Sequence, residues 1–196
     1  MLANPQLASP YCLVTGASQG IGRAIAEECA RRGMNLVLVD LPQTGLAELC
    51  AELAERHGIN AEGCEADLTD SASPKCIHRF VQSRRFRISV LVNNAGLSCT
   101  GLFDRSSTEM YDSLIRLNIS AVVQMTHRFL PDLRRRSRAY VLNVSSLSAF
   151  HPMPHMAVYG ASKRFVMDFS RALRQELKDS AVSVSVLCPN GVPTNE

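Results

Sequence analysis

The chain alternates between short, β-branched apolar runs and longer segments with helical spacing, and this alternation restricts its fold more than any other feature. The runs are Tyr11–Thr15, residues 36–39 closing on Asp40, residues 60–66, residues 88–92, Ala139–Val144 and Val182–Leu187. Between the first two, Ala24, Ile25, Ala26, Cys29 and Ala30 mark a helix stopped by Gly33. Leu46, Leu49 and Leu53 share one face of a second helix over residues 46–56, with Gly58 as its stop. Further helices are expected over residues 74–82, over residues 108–129 with Pro131 just past the end, and over residues 157–178. Continuous apolar runs of this length suit strands buried on both faces. Strands that alternate with helices form a parallel sheet with helices on both sides. The 196 residues contain no linker, low-complexity tract or short repeat, so residues 1–196 read as one α/β domain built on a doubly wound parallel sheet.

The first strand runs into Gly16-Ala17-Ser18-Gln19-Gly20-Ile21-Gly22 and then into a helix. Glycines there let backbone N–H groups approach a phosphate at the positive end of the helix. The spacing is G-x-x-x-G-x-G, and its place between strand and helix gives the glycines their meaning. The sheet is therefore expected to be Rossmann-like, with a dinucleotide at its carboxyl edge. Asp40 ends the second strand, where a carboxylate accepts from an adenosine ribose 2′-hydroxyl and repels a 2′-phosphate. The neighbouring Gln19 and Leu41 offer a phosphate no cation. NAD is thus expected rather than NADP.

A second constellation lies downstream. Tyr159 and Lys163 are four residues apart, one turn along the same helix face. A neighbouring cation favours the phenolate, and a tyrosine so placed can pass a proton to or from a substrate oxygen. Ser146, thirteen positions before Tyr159, follows the fifth strand. A loop could bring its hydroxyl and the phenol to one carbonyl, where hydride arrival builds negative charge that needs donors.

Thr15 through Gly22, Asn93-Asn94-Ala95-Gly96, Asn118, Ser146 and Tyr159-Gly160-Ala161-Ser162-Lys163 together resemble the short-chain dehydrogenase/reductase family, over nearly the whole chain. The resemblance implies an NAD(P)-dependent oxidoreductase acting on an alcohol or ketone, with Asn118, Ser146, Tyr159 and Lys163 as catalytic residues. Tyr159 is then the general acid/base, and Lys163 holds the nicotinamide ribose and sharpens the tyrosine. Ser146 holds the substrate oxygen, and Asn118 supports a proton-relay water. Gly16, Ser18, Gln19, Gly20, Ile21, Gly22 and Asp40 would bind the cofactor at one end. Asp67, Leu68, Asn94, Ala95 and Gly96 would lie along the adenosine, and Val192 and Thr194 by the carboxamide. The sequence departs from the family pattern in having Pro189-Asn190-Gly191 where Pro-Gly is usual. It also shows no counterpart of the lid, seventh strand and final helix that family members carry. Residues 142–146 and 165–170 are similar to members that act on 3-oxoacyl thioesters or steroid-like alcohols. The loop from Phe150 to Met156 is expected to border the substrate. Family members pair through the helices expected at 108–129 and 157–178, so a homodimer or homotetramer follows. The alternative is a nucleotide-binding regulatory or scaffolding protein that kept the fold without turnover.

Composition narrows the remaining classes. A net charge of +3 is too small to imply nucleic acid. The arginines at 79, 84, 85 and 87, and at 134, 135, 136 and 138, have no aromatic interleaving and read as solvated faces. No apolar run has the length of a membrane span. Residues 1–10 lack the basic start and apolar core of a secretory signal and read as a loose arm. Seven scattered cysteines without a C-x-x-C pair argue for a reducing, cytoplasmic setting and against a zinc site or any other metal.

Overall fold

The computed structural model describes residues 10–190. The first strand, β1 (Tyr11–Thr15), has its five side chains buried. It is followed by α1 (Gly20–Arg31), β2 (Asn35–Asp40), α2 (Leu46–His57), β3 (Ala61–Glu65), α3 (Ser73–Ser83) and β4 (Ile88–Asn93). Then come α4 (Thr108–Ile115), α5 (Val122–Arg134), β5 (Ala139–Val144), α6 (Ala157–Glu176) and β6 (Val182–Leu187). The six strands form one sheet in the order β3-β2-β1-β4-β5-β6, and every pairing is parallel. Successive strands step outward from β1 to β3, and the chain then crosses to β4 on the other side of β1. The order therefore reverses between β1 and β4, which leaves a crevice at their carboxyl ends.

Strand residues alternate between the two faces. Tyr11, Leu13, Val37, Val39, Leu91 and Val141 belong to the core beneath α3, α5 and α6. Cys12, Val14, Leu36, Leu38 and Val92 belong to the core beneath α1 and α2. This two-sided burial is why β1, β2 and β4 read as continuous apolar runs in the sequence.

The structure corrects one helix. The segment expected as a single helix over residues 108–129 is α4 and α5 joined by a wider π-helical stretch, Arg116–Ala121. Pro131 lies inside α5, not past it. A proline removes the N–H that would bond the carbonyl four residues earlier. Here that residue is His127, on an exposed turn where water can take the vacant acceptor. The loose arm expected over residues 1–10 falls outside the described residues, except for Pro10.

Candidate active site

The end of β1 and the end of β4 are bound together at the crevice. The Thr15 hydroxyl donates to the Val92 carbonyl (3.3 Å) and accepts from the backbone N–H groups of Asn94 (3.0 Å) and Ala95 (3.1 Å). The Asn94 side-chain amide donates to the carbonyls of Thr15 and Gly16, both at 2.9 Å. Gly16 and Ala17 in turn donate to the Val39 carbonyl. α1 is seated directly on this knot: a Cβ on Gly22 would lie 1.9 Å from the Gly16 oxygen and 2.5 Å from Asn94 Nδ2. Only glycine permits that approach. Gln19, at the start of α1, gives no side-chain cap, and the first turn carries no acid. The helix therefore presents its first N–H groups and positive end outward, a setting for an anion.

The cavity in front of these groups has a volume of about 780 Å³. Gly16, Gln19, Gly20 and Ile21 line it, with Asp40, Asp67, Leu68, Asn94, Ala95 and Gly96. Ser18 and Gly22 do not line it, and each touches residues that do, Ser18 through Asp40 and Gly22 through Gly16 and Asn94. Ser18 N–H donates to Asp40 Oδ2 at 2.8 Å and Leu41 N–H to Asp40 Oδ1 at 2.8 Å, so the carboxylate is held in place with lone pairs to spare. Asp67 accepts from the Thr69 N–H and hydroxyl, both at 2.8 Å, which fixes it at the end of β3. The ionisable residues lining this cavity, Asp40, Asp67 and Glu109, are all acidic. Arg23 is turned away into ion pairs with Glu27 (2.9 Å) and Glu52 (3.0 Å).

A second cavity, of about 550 Å³, adjoins the first and shares Ile21, Asn94, Gly96 and Leu97 with it. Ser146, Tyr159 and Lys163 line this second space. Two strands and one helix place them. Ser146 follows β5, held by Ser145 N–H donating to the Leu187 carbonyl of β6 (2.7 Å) and Leu147 N–H to the Pro189 carbonyl (2.9 Å). Its hydroxyl accepts from Ser148 N–H at 3.2 Å, capping the short 3₁₀ turn Leu147–Ala149. The proton of that hydroxyl remains available to donate. Tyr159 and Lys163 lie on α6, one turn apart as the spacing predicts. The Lys163 ammonium stands 5.7 Å from the Tyr159 ring centroid, within cation–π range. Its hydrogen bond goes to the Val144 carbonyl at 3.1 Å. Lys163 is 5% exposed, and burial pushes its ammonium down to about 8.

Asn118 lies beneath the cavities rather than on their walls. It is 1% exposed and sits in the π-helical stretch between α4 and α5. Its Oδ1 accepts from Leu97 N–H (2.8 Å), and its Nδ2 donates to the Leu97 carbonyl (2.9 Å) and Ser162 Oγ (3.0 Å). The amide thus clamps the loop after β4 to α6. Gly96 makes this possible, because a Cβ there would come within 3.1 Å of Lys163 Nζ and 3.2 Å of Asn118 Oδ1.

The structure thus draws Ser146, Tyr159, Lys163 and the glycine, Asp40, Asp67 and Asn94–Gly96 groups around one trough. Val192 and Thr194 lie outside the described residues. Of the loop expected to border the substrate, Met153 and Met156 line the second cavity, while His155 faces a separate small pocket with Cys99. The sequence reading missed the Thr15 hydroxyl as an organiser. It also missed Ser162, and Ser145, whose hydroxyl donates to the Lys163 carbonyl at 2.7 Å. Each is a small hydroxyl residue beside a residue already singled out, and only that proximity could have marked it. The arginines split: Arg84 pairs with Glu62 and stacks on Phe80, whereas Arg87, Arg135, Arg136 and Arg138 line a pocket at the amino edge of the sheet.

A doubly wound parallel sheet with an anion-suited helix start and a Ser–Tyr–Lys cavity beside it is a Rossmann-like, dinucleotide-binding type of fold. The chain belongs to the short chain dehydrogenase family, whose family model matches residues 11–196. It is 34% identical over 192 residues to the very-long-chain 3-oxoacyl-CoA reductase of Anas platyrhynchos, covering 94% of this chain and 60% of that protein. It is 34% identical over 188 residues to the human 17-beta-hydroxysteroid dehydrogenase type 3, covering 94% of this chain and 59% of that protein. The chain thus spans about six-tenths of the length of these curated relatives. Among solved structures, it resembles a short-chain dehydrogenase from Sphingobium yanoikuyae in complex with NADPH. The TM-score is 0.89 with 35% identity, over 94% of this chain and 72% of that one. A short-chain dehydrogenase/reductase from Burkholderia phymatum in complex with NAD matches with a TM-score of 0.89 and 29% identity, over 96% of this chain and 68% of that one.

Proposed function

We propose that the protein is an oxidoreductase that moves a hydride between a nicotinamide dinucleotide and a secondary alcohol or its ketone. One observation carries this reading: Ser146, Tyr159 and Lys163 line a cavity continuous with the glycine-loop cavity. The outward start of α1 and the Gly22–Gly16 contact fit a dinucleotide pyrophosphate. When bound, the cofactor supplies or accepts the hydride. In the reductive direction, the Ser146 hydroxyl donates to the substrate carbonyl and resists movement of its oxygen. Tyr159 gives its proton to that oxygen as negative charge grows on it, and the C=O becomes C–OH. The Lys163 ammonium, over the tyrosine ring, offsets the phenolate charge left behind. In the oxidative direction the phenolate takes the hydroxyl proton back. Asn118 acts as a positioning residue for the wall that holds Lys163.

NAD is the preferred cofactor in this reading. Asp40 is fixed for a ribose hydroxyl, the ionisable residues of the adenosine end are acidic, and Arg23 is occupied by carboxylates. The substrate is an apolar ketone or alcohol of the 3-oxoacyl or steroid type. The names of the two relatives and the Met153 and Met156 wall support that class. The protein assembles as a homo-oligomer and works in a reducing, cytoplasmic setting, a reading supported by its seven free cysteines.

The test combines nucleotide titration with turnover on a panel of 3-oxoacyl and steroid ketones. Tyr159→Phe should lower turnover about 10²- to 10⁴-fold and leave NADH affinity unchanged. Undiminished turnover in that variant would remove the mechanism. NADH binding without turnover on any member would favour the scaffolding alternative, and tighter binding of NADPH than of NADH would overturn the Asp40 argument.

A further inference from the structure

Of the seven cysteines, two touch. Cys12 is the second residue of β1 and is 0% exposed, while Cys29 lies in the last turns of α1 and is half-buried. Their sulfurs are 3.7 Å apart, in thiol–thiol hydrogen-bond contact across the β1–α1 interface. A disulfide needs about 2.05 Å between sulfurs, so forming one draws Cys29 inward toward β1. The two thiols are electrostatically unlike. Cys29 is held below the usual thiol range, first by the hydrogen bond it shares with Cys12 and then, against the effects of burial and Glu28, by the Arg32 guanidinium. Cys12 is raised well above that range, by its hydrogen bond to Cys29 and then by burial. By contrast, burial pushes Cys50 up to about 11 and also raises Cys64. Reactive cysteines are partly exposed and rich in thiolate, and a thiol poised beside one can resolve its sulfenic acid.

We infer that Cys12 and Cys29 form an oxidisable dithiol whose closure to a disulfide loosens nucleotide binding. The oxidant is a hydroperoxide. The Cys29 thiolate attacks one peroxide oxygen and breaks the O–O bond. With hydrogen peroxide, this yields a Cys29 sulfenic acid and one water after proton uptake. Cys12 then attacks the sulfenic sulfur, its proton leaves with the hydroxyl as a second water, and the S–S bond forms. Two thiols are oxidised by two electrons, and the peroxide is reduced.

The link to the nucleotide is mechanical. Cys29 and Gly22 lie on the same helix, two turns apart. Gly22 is already packed against Gly16 with no room for even a methyl group. Drawing the far end of α1 toward β1 therefore cannot be absorbed at its start, and the first turn must tilt against the glycine loop. This consequence rests on the nucleotide reading given above. The dithiol chemistry does not, and the experiment separates the two.

The protein is treated with hydrogen peroxide, its remaining thiols are alkylated, and it is digested and examined by mass spectrometry. The expected product is a Cys12–Cys29 cross-linked peptide, with the other five cysteines alkylated. The Cys12→Ser variant should instead accumulate a dimedone-reactive sulfenic acid at Cys29. Affinity for NADH should fall several-fold in the cross-linked protein and return with dithiothreitol. The Cys12→Ser/Cys29→Ser double variant should bind NADH normally and ignore peroxide. Failure to form the cross-link overturns the dithiol. A cross-linked protein with unchanged affinity overturns the coupling, and a reduced protein that binds no NADH faults the nucleotide reading alone.

Discussion

Lys163 is the most costly residue at the site, because its charge sits almost fully out of water. An ammonium pushed down to about 8 compares with about 10.4 for an unfolded lysine. Between these values the unfolded chain binds more protons than the folded one, so stability rises with pH across that window. Below about pH 8 both states are protonated and the penalty is present in full, roughly 3 kcal/mol for a shift of this size. Lys163→Met removes the titrating group. The difference in unfolding free energy, wild type minus variant, should therefore grow in favour of the wild type between pH 8 and pH 10. Urea unfolding at a series of pH values measures it, and a flat difference would mean that the lysine is not desolvated. The burial is legible only in the fold: the sequence shows a lysine one turn from a tyrosine, while the cover comes from β5, the loop after β4 and Asn118.

At the scale of elements, the start of α1 has no room to approach the glycine loop more closely. Its first turn is pressed onto the Gly16 carbonyl and the Asn94 amide. Gly22→Ala adds a residue that favours helix by up to about 1 kcal/mol, yet its methyl would overlap the Gly16 oxygen. The helix should stay formed and move. Circular dichroism should be unchanged while NADH affinity drops about tenfold or more, equivalent to about 1.4 kcal/mol. Unchanged affinity would show that the helix start does not set the phosphate position. This element was visible in the sequence because glycine spacing, strand and helix stand in series. The strands were visible because burial on both faces writes apolar residues at consecutive positions, and even the weaker β3 falls within the expected 60–66. The π-helical stretch at Arg116–Ala121 was not. Leu114 before it, Ala121 at its end and Val122 and Met125 after it keep an inward apolar stripe, so the side-chain pattern hides the change in backbone hydrogen bonding that carries Asn118 under the site. Pro131 misled for a related reason: its missing N–H matters little where the vacant carbonyl faces water.

At the scale of the whole molecule, the candidate site lies at the carboxyl edge of the sheet, and the flank of α4 and α6 exposes large apolar side chains among its ion pairs. These helices pack against one another. On their outer sides Ile115 is 44% exposed and Phe165 40%, and the Phe165 ring is stacked on Phe169 with centroids 6.0 Å apart. Rings held in that way lose little freedom on being covered, and burying a phenylalanine side chain is worth about 1.5–3 kcal/mol. A second copy related by a twofold axis would set the same patch against itself, so each ring counts twice. The protein should sediment as a dimer or tetramer at micromolar concentration. Phe165→Glu would place a carboxylate in the contact, twice per interface, and should give monomers. Because Phe165 stands on the side of α6 away from the cavity lined by Tyr159 and Lys163, those monomers should still bind NADH. A monomeric wild type at tens of micromolar would exclude this face as a self-contact. Loss of NADH binding together with assembly would instead mean that pairing holds α6, and with it Tyr159 and Lys163, in place.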